Sequence, residues 1–332
     1  MTRRAILHIG RHKTGTTGLQ LFLESRGAEL EKAGFCYPRS GRDLSPGQSR
    51  EDQCAHHGLA RSLMGPRDIV RQRLMALRPA FLDEVRNAHT VILSSEGFQN
   101  VAHLDLLAEF LDGFEIETIC YLREYLAYVT SSYAQEIKGS GLATDFTFFE
   151  ERFGLGLPGF MMIWGQVARR CKWRLYDRAR LIEGNVIADF VATAGLPLQP
   201  PQNASESNLT ISGNLLGFKL LLNMLGLHMR EFGAPMNDLA MAHARFRGPI
   251  HVDLPTQQRM RGSNSCNRTL RDLFGEVPEV DFEAGNRIFD LTSLEQDMQT
   301  ILPKFAEFDR VASHPLIAAL ARGQISVFDH VR

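Results

Sequence analysis

Apolar residues along the chain follow two rhythms. Short, largely apolar runs occur at Ala5 to Ile9, Thr90 to Ser94, Ile116 to Leu122 and Trp173 to Tyr176, each bounded by glycine or polar residues. Runs of that length predict strands buried on both faces. Between them the period lengthens to that of a helix. From Thr16 onward, Leu19, Phe22, Leu23 and Leu30 fall on one side and Glu24, Arg26 and Glu29 on the other, until Gly34 closes the segment. The same reasoning predicts helices from Pro66 to Val85, Leu104 to Leu111, Glu124 to Lys138, around Phe160 to Arg169, and from Val186 to Ala194.

Strands alternating with helices imply an α/β fold with a mostly parallel sheet covered on both faces, a three-layer arrangement. Beyond residue 195 the chain reads as helical. Leu215 to Met229, interrupted by Lys219, Asn223 and His228, predicts an amphipathic core helix, and the Pro/Gly-rich stretch 247–263 predicts a loop, as does the polar stretch 39–54. The simplest organisation is one domain over 1–332, with an α/β core in 1–200 and a mainly helical part in 200–332.

Composition narrows the function classes. The 37 Lys and Arg nearly balance the 38 Asp and Glu, for a formal net charge of −1. That balance gives no broad basic surface, so no nucleic-acid partner is expected. The five cysteines are widely spaced and odd in number, with no CxxC, which argues against a disulfide framework or a zinc site and suits a reducing, cytoplasmic compartment. The apolar run after Arg3 and Arg4 is too short for a signal-peptide core, and no integral membrane span is expected.

The chemistry sits in the loop after the first strand, Gly10-Arg-His-Lys13-Thr-Gly15-Thr16-Thr17. Its glycines have the spacing of a nucleotide triphosphatase loop, GxxxxGK[ST], and Thr17 supplies the hydroxyl. Thr16, however, stands where the lysine belongs, and the lysine is Lys13. Backbone N–H groups and a helix N-terminus still make an oxyanion cradle. A lysine inside the loop can lie beside the leaving-group oxygen of a shorter anion.

The segment His8 to Gln20 resembles the 5′-phosphosulfate-binding loop of the sulfotransferases, in its bacterial form. The resemblance extends over roughly residues 5–200, through Trp164, Trp173 to Asp177, Asp189-Phe190 and Gly195-Leu196. It implies a P-loop-like sheet flanked by helices and the co-substrate 3′-phosphoadenosine 5′-phosphosulfate. Arg11, His12, Lys13, Thr14, Gly15, Thr16, Thr17 and Gly18 would hold the phosphosulfate. Arg123 and Ser131, eight residues apart, match the pair that binds the 3′-phosphate, a forked cation and a hydroxyl donor. Tyr176 would contact the adenine.

Sulfuryl transfer also needs a base, and no metal is implied. Glu96, just past the second strand in Ile-Leu-Ser-Ser-Glu, is the first candidate, because the C-terminal ends of parallel strands face the ligand crevice. His56 and His57 are the runners-up, with a pair of solvated surface histidines as the plain alternative. His8, inside a strand, reads as a hydrogen-bonded core histidine. The acceptor would be a hydroxyl, less readily an amine, of a small molecule or glycan, bound by segments 36–66 and 200–270, which carry no recognisable motif. The rival readings are a P-loop kinase or NTPase, with Glu96 facing a metal, and a nucleotide-binding module without turnover.

Overall fold

The computed structural model describes residues 2–11, 14–45, 49–153, 156–201, 210–262 and 264–321. In chain order these form β1 (Arg3–Ile9), α1 (Thr16–Ser25), α2 (Gly27–Lys32), β2 (Phe35–Cys36), α3 (Arg50–Gln53), α4 (His57–Ser62), α5 (Arg67–Glu84), β3 (Thr90–Ser95), α6 (Leu104–Phe110), β4 (Phe114–Leu122), α7 (Tyr125–Gly139), α8 (Phe146–Arg152), α9 (Leu157–Val167), β5 (Arg170–Leu175) and α10 (Val186–Ala194). Then follow α11 (Gly213–Met224), α12 (Gly233–Ala242), α13 (Leu254–Gly262), α14 (Ser265–Phe274), α15 (Leu294–Ile301), α16 (Asp309–Ala312) and α17 (Pro315–Ala321). Among the described residues no helix is long and apolar enough to cross a membrane.

The chain divides into two compact units that interleave along the sequence. The first comprises Met1–Glu124, Gly156–Asn208 and Ser265–Pro278; the second comprises Tyr125–Leu155, Leu209–Asn264 and Glu279–Arg332.

The first unit holds the sheet, all parallel, in the order β2-β3-β1-β4-β5. Side chains alternate faces along a strand. Ile6, Ile92, Ile119 and Tyr121 share one face and pack with Leu19, Phe22 and Leu23 of α1 and Phe190 and Val191 of α10. On the other face Trp173 meets Phe160 of α9 at 5.7 Å between ring centroids, and Phe114 meets Phe81 of α5 at 6.0 Å. Helices on both faces bury β3 and most of β1 and β4, which explains their largely apolar runs, whereas β5 at the sheet edge, expected to be buried on both faces, is only partly buried. The edge strand β2 escapes the periodicity because it is only two residues long.

The second unit is helical, built around α11. Two sequence expectations are corrected here. The segment read as one amphipathic helix from Leu215 to Met229 is helical only as far as Met224 and is buried from Gly213 to Asn223, so Lys219 and Asn223 point into the protein while His228 lies beyond the helix and is exposed. Asn223 Nδ2 donates to the carbonyls of Ile137 (2.8 Å) and Leu142 (2.7 Å), satisfying groups left open where α7 ends. Lys219 Nζ bonds Asn223 and lies 3.0 Å from His228 Nδ1, and burial pushes its amine down to about 8. The stretch 247–263, read as a loop, contains α13. Pro255 occupies the second helical position, where a missing N–H costs nothing, and Asp253 Oδ1 caps the turn by accepting from Thr256 N at 2.9 Å.

Candidate functional site

The site lies in the first unit, at the C-terminal edge of the sheet. From β1 the chain moves to β2 on one side, and from β4 to β5 on the other. Diverging connections open a crevice beyond the ends of β1 and β4, where ligands of open parallel sheets bind.

The turn from β1 to α1 is drawn tight. Gly10 N donates to Ser95 O at 3.0 Å, tying the turn to the end of β3. A Cβ at Gly10 would lie 2.8 Å from Thr16 Cγ2 and 3.0 Å from Glu96 Cγ, so only glycine allows this approach. Gly15, at the N-cap of α1, has φ +77°, and a Cβ there would lie 2.6 Å from Val186 Cγ1. Thr14 is buried and its hydroxyl donates to Arg11 O at 2.8 Å, bracing the turn from inside. Thr16 is buried beside it, with the two hydroxyls 3.5 Å apart. Thr17 and Gly18 are half-buried on the first turn of α1, whose N–H groups have no intrahelical acceptor. Arg11 is buried, with its guanidinium 5.0 Å from the centre of the Phe160 ring. His12 and Lys13 lie outside the described residues.

Gly15→Ala should therefore lower stability by about 1–3 kcal/mol, the cost of a forced positive φ, with the Val186 clash added. Urea denaturation measures it. An unchanged midpoint would show that the turn is not constrained as described.

Arg123 follows β4 directly and Tyr176 follows β5. The Arg123 guanidinium stands 5.8 Å from the Tyr176 ring centre, and burial lowers its pKa. The Tyr176 hydroxyl lies 3.7 Å from where a Gly15 Cβ would be, so the tyrosine borders the turn. Ser131 belongs to the second unit, on α7, where it is buried and its hydroxyl donates to Ala127 O at 2.7 Å.

At the end of β3 a polar cluster surrounds Glu96. Gln20 Nε2 donates to Ser94 Oγ at 3.1 Å and to Glu96 Oε2 at 3.3 Å. His57 Nε2 approaches the same Oε2 at 3.6 Å, and its Nδ1 lies 2.8 Å from Ser95 Oγ. The Glu96 and His57 side chains are 22% and 25% exposed, so the pair is reachable. The set looks like a Ser–His–carboxylate relay. Ser95, however, is fully buried, and its oxygen accepts from Gly97 N at 3.0 Å, capping the short helical turn Glu96–Asn100. It is a fixed strut and no nucleophile.

The two adjacent histidines part company. His56 is wholly buried: its N donates to Ser94 O (2.8 Å), its Nδ1 accepts from Ser94 N (3.1 Å) and its Nε2–H donates to Pro38 O (2.9 Å). That pattern fixes a neutral tautomer, and burial, helped by the charge of Arg42, pushes its pKa down to about 3. The solvated pair considered from the sequence is thus one core histidine and one site histidine. His8 is the expected core histidine, 2.8 Å from Ser94 Oγ, and burial pushes its pKa down to about 3 as well.

Gln20, Ser94 and Ser95 complete the cluster. A signal for Gln20 was available: it lies four residues after Thr16, on the same helix face. Among the described residues no group of three His, Cys, Asp or Glu is disposed to hold a metal ion. Compared with known proteins, the chain matches no family model, no curated protein and no solved structure.

Proposed function

We propose that the protein transfers the sulfuryl group of 3′-phosphoadenosine 5′-phosphosulfate to a hydroxyl, less readily an amine, of a small-molecule or glycan acceptor in the cytoplasm. The observation that carries this reading is the close packing of Gly10 against Thr16 at the start of α1 and against Glu96 at the end of the adjacent strand. A cradle for an anion and a carboxylate able to take a proton thus adjoin. In this reading the N-terminus of α1 and the turn's N–H groups hold the phosphosulfate, and Lys13 neutralises charge on the departing phosphate oxygen. Arg123 reads the 3′-phosphate, and Tyr176 meets the adenine. Positioning and electrostatics supply most of the rate, and no divalent metal is called for.

Calorimetry with adenosine 3′,5′-bisphosphate tests the donor assignment. Arg123→Ala should weaken that ligand by about 1.5–3 kcal/mol, the worth of a hydrogen bond to a charged group, and adenosine 5′-phosphate much less. Equal losses would show that Arg123 does not read the 3′-phosphate. Turnover surviving a chelator separates this reading from a kinase or NTPase.

A further inference from the structure

The cluster at Glu96 distinguishes the two oxygens of that carboxylate. Both polar neighbours, Gln20 Nε2 at 3.3 Å and His57 Nε2 at 3.6 Å, address Oε2. Oε1 has no hydrogen-bond partner among the described residues. Gln20 is 2% exposed, and its second N–H is fixed on Ser94 Oγ, which in turn meets His8 on β1. Its amide therefore cannot swing away. A carboxamide also passes no proton readily, so this arm of the network orients and does not relay.

The His57 ring is pinned at its other end by Ser95 Oγ, itself held by Gly97 N. Ser95 Oγ can donate to Nδ1 or accept from it. If it accepted, the bare lone pair of Nε2 would face the Glu96 carboxylate. The arrangement that avoids this repulsion has Ser95 donating to Nδ1 and Nε2–H pointing at Oε2. At 3.6 Å the contact is longer than a hydrogen bond, as catalytic contacts often are before substrate binds. Both ring nitrogens are then engaged within the protein, and neither is left to accept a substrate proton.

We propose that Glu96 acts through Oε1 alone, and that Gln20 and His57 are positioning residues that hold Oε2 from behind, His57 as its Nε2–H tautomer. This rests on the transferase reading. In the reaction Oε1 takes the proton of the acceptor hydroxyl while its oxygen bonds to sulfur. The bond from sulfur to the bridging oxygen breaks, and its electron pair leaves on the 5′-phosphate. Glu96 ends protonated and returns the proton to water.

Two measurements decide it. In protein labelled with ¹⁵N-histidine, long-range ¹H–¹⁵N spectra should show neutral His57 protonated at Nε2; an Nδ1–H tautomer overturns the proposal. That arm needs no turnover, so it stands even if adenosine 3′,5′-bisphosphate fails to bind and the transferase reading falls. The second arm follows release of that nucleotide from the donor with a panel of simple phenols, alcohols and monosaccharides. His57→Ala and Gln20→Leu should each lower kcat about tenfold, the loss of one anchor's 1.4 kcal/mol, with KM unchanged. His57→Gln, which keeps an N–H near the same place but cannot act as a base, should recover most of that kcat and keep the acidic limb of the pH profile. If His57→Gln is as impaired as His57→Ala and loses that limb, His57 is the base. Circular dichroism of each variant separates a local effect from failure to fold.

Discussion

Glu96→Gln should lower turnover by about 10²–10⁴-fold, the contribution of a positioned general base. That is about 3–5 kcal/mol of barrier. The substitution is close to isosteric, and the new amide oxygen can still accept from Gln20, so the turn at Gly10 and Thr16 should keep its packing. Affinity for adenosine 3′,5′-bisphosphate should stay within about twofold, because in the proposed reading α1, Arg123 and Tyr176 hold the donor and the carboxylate takes no part. This split, chemistry lost and donor binding kept, is what identifies a base. A general loss of structure would lower both together. Nucleotide release from the donor and calorimetry, run on the same preparation, measure the two halves. Undiminished turnover would remove Glu96 from the mechanism.

The sheet was legible because most of its strands are buried on both faces. Most positions in Ala5 to Ile9 and Ile116 to Leu122 are apolar because helices cover both sides, and the polar exceptions His8, Glu117 and Thr118 are themselves buried. What stayed hidden rests on contacts between residues far apart in sequence. His56 and His57 are identical neighbours in the chain, and the bonds of His56 to Ser94 and Pro38, 38 and 18 residues away, decide which is core and which is site. The helix α11 looked amphipathic because Lys219 and Asn223 interrupt it. Their partners, His228 and the carbonyls where α7 ends, are tertiary and leave no periodic trace. In the site itself, glycine spacing and Glu96 were readable from local pattern. Gln20 was readable only once Ser94 and Glu96 were known to stand opposite its face of α1.

The buried histidines that anchor this site should make the protein acid-labile well above the carboxylate range. His8 and His56 are each held near 3 in the folded state, against 6.5 when unfolded. Between those values the unfolded chain binds protons that the native state refuses. Stability therefore falls as pH drops below 6.5 and is intact above it. Each histidine costs about 1.4 kcal/mol per pH unit in that window, so the two together remove about 4 kcal/mol by pH 5. Set against the roughly 5–15 kcal/mol that holds a typical domain together, that is a large share. Carboxylates held low by partners, such as Asp105 beside Arg67 and Glu117 beside Arg4, begin to contribute only at lower pH, so the interval from 6.5 to 5 belongs to the histidines. Urea midpoints at pH 8, 6.5 and 5 test this: little change over the first interval and a steep fall over the second are expected. His56→Gln should be less stable at pH 8, since Ser94 N loses its acceptor, yet show about half the acid slope. Equal stability at pH 8 and pH 5 would mean that these imidazoles take up protons without unfolding. His8 reaches Glu96 through Ser94 and Gln20, and His56 directly precedes His57. Exposing either buried ring to protons therefore disturbs the carboxylate as well, and activity should decline over the same pH interval as stability.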